Sequence, residues 1–116
     1  MQKNMYDLTN PQKSIWYTEE FFKGTPIENI TGSVIIPEKV NFSLLAEAIN
    51  IFVSKSDSFR LKFFIEKNQV KQYVETYTKF DVEIIDVSSD DELRNVEKTI
   101  ASTAFDVLNS FLFNFK

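Results

Sequence analysis

The sequence contains no cysteine and no histidine, and only two glycines and three prolines in 116 residues. Without cysteine there are no disulfides, thiolate nucleophiles or structural zinc thiolates. Without histidine no side chain has an unperturbed pKa near neutrality, so general base work would fall to a shifted Asp, Glu or Lys. Clustered basic residues are also missing: the net charge is −4 and the pI about 4.8, which argues against a phosphate-backbone partner. No apolar run reaches the roughly 18 residues that span a bilayer, and "MQKNMYDLTN" lacks the apolar core of a signal peptide. Neither nucleic acid nor membrane is therefore expected as a partner, and the chain reads as cytoplasmic.

What is present is apolar and aromatic. Hydrophobic residues make up 43% of the chain, and 12 Phe stand against one Trp and four Tyr, so a real core is expected, with some rings left for an interface. Asn10 followed by Pro11 suits a helix start, and the helix is expected to run to about Phe22. The loop "GTPIENITG" then leads to "SVIIP", residues 33–37, β-branched enough for a strand ending at Pro37. Asn41 or Ser43 caps a second helix whose Leu44, Leu45, Ala48, Ile49, Phe52 and Val53 recur at helical spacing.

The runs "FRLKFFIE" and "VKQYVETY", either side of a turn containing Asn68, predict a β-hairpin, and "VEIIDV", residues 82–87, predicts a further strand. Ser89 with Asp90, Asp91 and Glu92 has the form of a capping box opening a third helix, with Leu93, Val96, Ile100 and Ala104 on one face. Asn109 then breaks into "FLFNFK", where Phe111, Phe113 and Phe115 alternate as in a strand. The order implies one α+β domain over residues 1–116, a mixed sheet with helices packed on it. Its last apolar strand has neither polar tail nor capping turn, which reads as truncation.

Two separated stretches resemble core motifs of the condensation domains of nonribosomal peptide synthetases. "TNPQKSIWYTE" is similar to the first, with Gln12 and Trp16 in its Gln and Trp places. "KSDSFRLKFF" resembles the second, Arg-His-Glu-x-Leu-Arg-Thr-x-Phe: Asp57, Phe59, Arg60 and Phe63 match its acidic, apolar, Arg and Phe places, while Lys55, Ser56 and Leu61 depart from its Arg, His and Thr. The helix "FSLLAEAINIFVS" leads into it as that family's pattern requires, and "AFDVLNSFLFNF" resembles the run into the strand before the family's catalytic loop.

The resemblance implies the N-terminal half of a chloramphenicol acetyltransferase-like fold. In that family two halves enclose a tunnel where an acceptor amine attacks a donor thioester. The substrates arrive on the phosphopantetheine of carrier proteins, so no cofactor is expected to bind this chain directly. The family's His-His-x-x-x-Asp-Gly motif would follow the last residues here, so the chain alone is expected to be inactive. Its implied partners are the remainder of the domain and peptidyl carrier proteins.

Each marked residue also has a plainer reading. Trp16 on an amphipathic first helix reads as core, Gln12 as mainly structural. Arg60, flanked by apolar residues, reads as partly buried and in need of a carboxylate or several carbonyls, with a structural ion pair to Asp57, Glu47 or Asp86 the favoured reading. Glu19 with Glu20 point about 100° apart on a helix, and Asp90, Asp91 and Glu92 are explained by capping, so neither group is expected to be a catalytic or metal site. "GTPIENITG" lacks the Lys and Ser or Thr of a phosphate-binding loop, and the sequons at Asn29 and Asn41 read as chance.

Three functions then compete. The first is a fragment of an amide-forming condensation domain, with no catalytic, cofactor or metal ligand of its own. The second is an interaction module whose phenylalanine-rich face binds a carrier protein or a second copy. The third, an independent enzyme using Asp, Glu or Lys, has no supporting constellation.

Overall fold

A computed structural model describes residues 4–106, 108, 111–113 and 115 of the chain. They fall into two units, one built from the segment ending at Leu8, Ile36–Ile84 and the described residues after Asp106, the other from Thr9–Ile35 and Ile85–Asp106.

In the first unit the hairpin is the organising element. Strand β2, Leu61–Glu66, pairs antiparallel with β3, Gln69–Val74, from Leu61↔Val74 to Glu66↔Gln69. The two residues between them, Lys67 and Asn68, have φ values of 50° and 64°. Positive φ at both positions is what a two-residue type I′ loop needs to match the strand twist, and Asn tolerates it well. A third strand, β1 (Met5–Asp7), pairs antiparallel with the other side of β3, giving the order β1-β3-β2. Only three residues long, β1 carries no readable alternation, and nothing in the sequence announces it. It is held by the Lys71–Asp7 ion pair and by Gln72, buried, whose Nε2 donates to the Asp7 carbonyl at 3.0 Å.

Helix α1 here denotes Asn10–Phe21 of the second unit, and α2 denotes Phe42–Lys55 of the first. Asn41, one of the two expected caps, starts α2: its side chain accepts from the Leu44 amide at 3.2 Å. The 3₁₀ turn Asp57–Arg60 follows α2 and feeds β2, so Phe59 and Arg60, expected in the strand, precede it. Within this unit Phe59 is the hub of an aromatic cluster, with ring centroids 4.9 Å from Phe52, 5.7 Å from Phe113 and 6.1 Å from Phe115.

In the second unit the cap of α1 is Thr9 rather than Asn10, which is the first helical residue. The reason is the reciprocal pair Thr9 makes with Gln12: the Gln12 amide donates to Thr9 Oγ1 at 3.3 Å, and the Thr9 amide donates to Gln12 Oε1 at 2.8 Å. Asn10 has Lys13, not Glu or Gln, three residues on. Helix α3, Asp90–Ser102, is capped by Ser89 as expected, its hydroxyl accepting from the Glu92 amide at 3.2 Å. The Glu92 carboxylate reaches one residue further back than a capping box requires, accepting from the Ser88 amide at 2.9 Å and hydroxyl at 3.0 Å. Those two hydrogen bonds, the amide first, hold its pKa below the usual glutamate value. Asn29 closes the other end of α3, donating from Nδ2 to the carbonyls of Thr103 (2.7 Å) and Ala101 (3.3 Å). Its place in "NIT" is thus taken up by capping.

The α+β class holds, with further corrections among the described residues. Both ladders are antiparallel, where a mixed sheet was expected. Residues 33–37 and 82–87 form no strand, because a β-branched run becomes one only where a neighbouring backbone supplies its hydrogen bonds. Val34 and Ile35 remain 88% and 87% exposed. Ala104 lies beyond the end of α3. The expected break at Asn109 and most polar positions of the final run lie outside the described residues, and Phe111, Phe113 and Phe115 carry no strand assignment. Burial is also thinner than composition suggests: Leu8, Trp16 and Val53 are the buried apolar residues among those described, while Leu44, Ile51 and Phe52 of α2 are exposed.

Candidate functional site

Of the five residues marked by sequence, Asp57 and Arg60 come together in the 3₁₀ turn before β2, and Phe63 follows within that strand. Arg60 is the centre. Its side chain is 12% exposed, and its guanidinium makes four hydrogen bonds. Nε donates to the Glu75 carbonyl (3.0 Å), Nη1 to the carbonyls of Val53 (3.0 Å) and Ser54 (2.7 Å), and Nη2 to Asp57 Oδ1 (2.8 Å). Its carbonyl in turn accepts from the Glu75 amide at 2.8 Å.

The local sequence explains the placement. The last carbonyls of a helix have no partner within it, and at the end of α2 an arginine five to seven residues on can bend back to supply one. A planar fork with five donors can serve several carbonyls at once, which the point charge of a lysine cannot. Of the three candidate partners, Asp57 is the one that pairs, and its own 77% exposure makes that pair the weakest of the four bonds in stabilisation. The carbonyl bonds therefore dominate, joining the end of α2 to the end of β3.

Beside this joint lies an apolar cavity of about 190 Å³, lined by Ser58, Phe59, Leu61, Phe63, Leu112 and Phe113. It presents one hydroxyl and no carboxylate, amine or amide side chain. Lys62 next to it is engaged elsewhere: its Nζ lies 3.5 Å from Glu75 Oε2 and 4.4 Å from the Phe111 ring centroid. No group of three or more His, Cys, Asp or Glu able to hold a metal occurs among the described residues. Chemically the arrangement can pack, orient backbone and line an apolar surface.

Gln12 and Trp16 lie on α1, in the other unit. Gln12 completes the cap with Thr9, and Trp16 is buried at 8% exposure.

Sequence reasoning missed Asn50, whose side-chain amide makes four hydrogen bonds in the first unit. It is buried, with Nδ2 donating to the carbonyls of Ala46 (2.9 Å) and Phe80 (3.0 Å), and Oδ1 accepting from the Tyr77 hydroxyl (2.8 Å) and the Phe80 amide (3.0 Å). A signal existed. Asn50 sits one turn from Ala46 and from Val53, so it interrupts the apolar face of α2 where a polar group must find partners.

Comparison with known proteins adds the following. A family model described as the Condensation domain matches residues 2–116. Among curated proteins of Bacillus subtilis (strain 168), the chain is 32% identical to surfactin synthase subunit 1 over 93 residues, covering 78% of this chain and 3% of that protein. It is 30% identical to a plipastatin synthase over 119 aligned positions, covering 99% of this chain and 5% of that protein. A dimodular nonribosomal peptide synthase is 27% identical over 85 residues, 73% of this chain and 4% of that protein. The chain thus spans only a few hundredths of the length of the relatives it matches.

Proposed function

The chain belongs to the condensation-domain family of nonribosomal peptide synthetases, and from that premise we propose that it forms the N-terminal subdomain of such a domain, supplying scaffold and one wall of the reaction chamber rather than reacting groups. The reaction served is amide formation between aminoacyl or peptidyl thioesters carried on the phosphopantetheine of carrier proteins. The chain works beside the remainder of the domain, in the cytoplasm. Among the described residues no helix is long and apolar enough to cross a membrane.

The observation that carries this reading is the family match over residues 2–116. The side-chain geometry supports the scaffold role. Arg60 and Gln12 spend polar side-chain atoms on helix ends and backbone, Asp57 pairs with the Arg60 guanidinium, and Trp16 is buried. The absence of histidine from the sequence supports inactivity of the chain alone, because this chemistry needs a group that can hold the amine proton near neutrality. The test mixes the chain with the complementary remainder of the domain and two loaded carrier proteins. Amide product is expected only when both pieces are present; product from the chain alone, or no gain on adding it, sinks the proposal.

A second reading, self-association, is favoured by a specific feature: Leu44, Ile51 and Phe52 on α2 are more than half exposed, and Val34 and Ile35 more so. Apolar surface of that kind attracts a second copy when its natural cover is missing. Light scattering after size exclusion measures it. A dimer that dissolves on adding the remainder of the domain supports the first reading, and one that persists supports the second.

A further inference from the structure

Residues 77–82 cross the first unit without joining the sheet, and among the described residues every hydrogen bond they make goes to one side chain, that of Asn50. Asn50 grips Phe80 by both its amide (3.0 Å) and its carbonyl (3.0 Å), the two bonds a neighbouring strand would make, and holds Tyr77 through its hydroxyl (2.8 Å). The remaining donor of Asn50 is anchored on the Ala46 carbonyl of its own helix at 2.9 Å, so the amide is saturated and its orientation set. Beyond the latch, the Phe80 ring lies 5.5 Å from that of Phe113, which lines the apolar cavity.

We propose that Asn50 is a single-residue latch for this strap, which opens as a unit to free Phe80 from Phe113 while α2 and the hairpin stay folded. The physical ground is the contrast in attachment. The hairpin and α2 are held by repeating backbone ladders that must fail together, whereas the strap hangs on three hydrogen bonds from one amide. When those bonds break, Tyr77 and the Phe80 backbone pass to water, and the cavity wall at Phe113 loses the ring beside it. The inference depends on bonds within this unit and is independent of the family reading.

The strap carries its own reporter, because exposed Lys79 precedes Phe80 and offers trypsin a bond that it can cut only when the strap is released. Asn50→Ala removes all three strap bonds, and cleavage after Lys79 is expected to rise by roughly tenfold or more, while Tyr77→Phe removes one and raises it by about two- to fivefold. Cleavage after Lys55, Lys71 and Arg94, within or at the ends of α2, β3 and α3, is the control and is expected to stay unchanged. Hydrogen exchange gives the second readout: the Phe80 amide loses protection in Asn50→Ala, and the amides of α2 keep theirs. Tyr77→Phe, which retains the buried amide and its grip on Phe80, carries the test if Asn50→Ala fails to fold. Equal cleavage in wild type and Tyr77→Phe, or a rise at Lys79 matched at the control sites, overturns the proposal.

Discussion

Two stretches of this chain look alike as sequence and differ as structure. "FRLKFFIE" and "SVIIP" are both short, apolar and rich in strand-forming residues, yet Leu61–Glu66 sits in a six-pair ladder while residues 33–37 stay exposed and unpaired. The difference lies in what each has nearby. Leu61–Glu66 is followed at once by a two-residue turn whose positive φ values return the chain antiparallel, so its partner is supplied locally at small entropic cost. Residues 33–37 end in Pro37, which has no amide to donate, and a helix follows soon after. Strand propensity describes a surface that fits a sheet, and it becomes a strand only when another segment brings the sheet.

The contrast can be broken most forcibly at Arg60. Replacing it by Ala takes the guanidinium from the Ser54 and Glu75 carbonyls and leaves Val53 with the Ser56 amide, and chemical denaturation is expected to show a loss of about 2–4 kcal/mol; Arg60→Lys is expected to recover less than half of that. A smaller break lies in the turn. Asn68→Val places a β-branched residue at φ 64°, with an expected loss of about 1–2 kcal/mol in thermal melting, whereas Asn68→Gly is neutral or slightly stabilising.

Smaller again is the start of α3. The pKa of Glu92 is lowered in the fold by the Ser88 hydrogen bonds, so its stabilisation is fully present above the ordinary glutamate pKa and disappears as pH falls through the depressed value. Circular dichroism is expected to show helix loss as pH drops below the usual glutamate range, with Glu92→Gln flattening that part of the profile. A profile identical in wild type and variant removes the assignment. The smallest effect sharpens the comparison from the other side. Val34→Lys, at a position 88% exposed, is expected to change the stability of the chain by less than about 0.5 kcal/mol, while Phe63→Lys in the paired strand disrupts folding.

The capping signals are legible in the sequence because they are local. Asn41 and Ser89 act within three residues of themselves, whereas the cap expected at Asn10 falls to Thr9 because of where Gln12 folds back. Arg60 is legible as a buried ion pair because flanking apolar residues leave a charge in need of partners. That carbonyls, the other partner type expected, outweigh Asp57, and that they belong to Val53, Ser54 and Glu75, is not legible, since carbonyls carry no sequence signature. Strand β1 and the Asn50 latch escape a sequence reading for a related reason: Met5–Asp7 pairs with residues 64 to 68 positions away, and Asn50 with residues 27 to 30 positions away.

By itself, then, the sequence determined the three helices with the caps of the second and third, the hairpin with its turn at Asn68, and the lack of any imidazole or thiol chemistry, because each follows from residues within a few positions of one another or from composition. Only the tertiary structure decided which β-branched runs become strands, which atoms satisfy Arg60 and Asn50, and how much of the α2 stripe is covered. Those outcomes rest on backbone groups and surfaces contributed from far along the chain, and hydrogen bonds and burial exist only once both sides are in place.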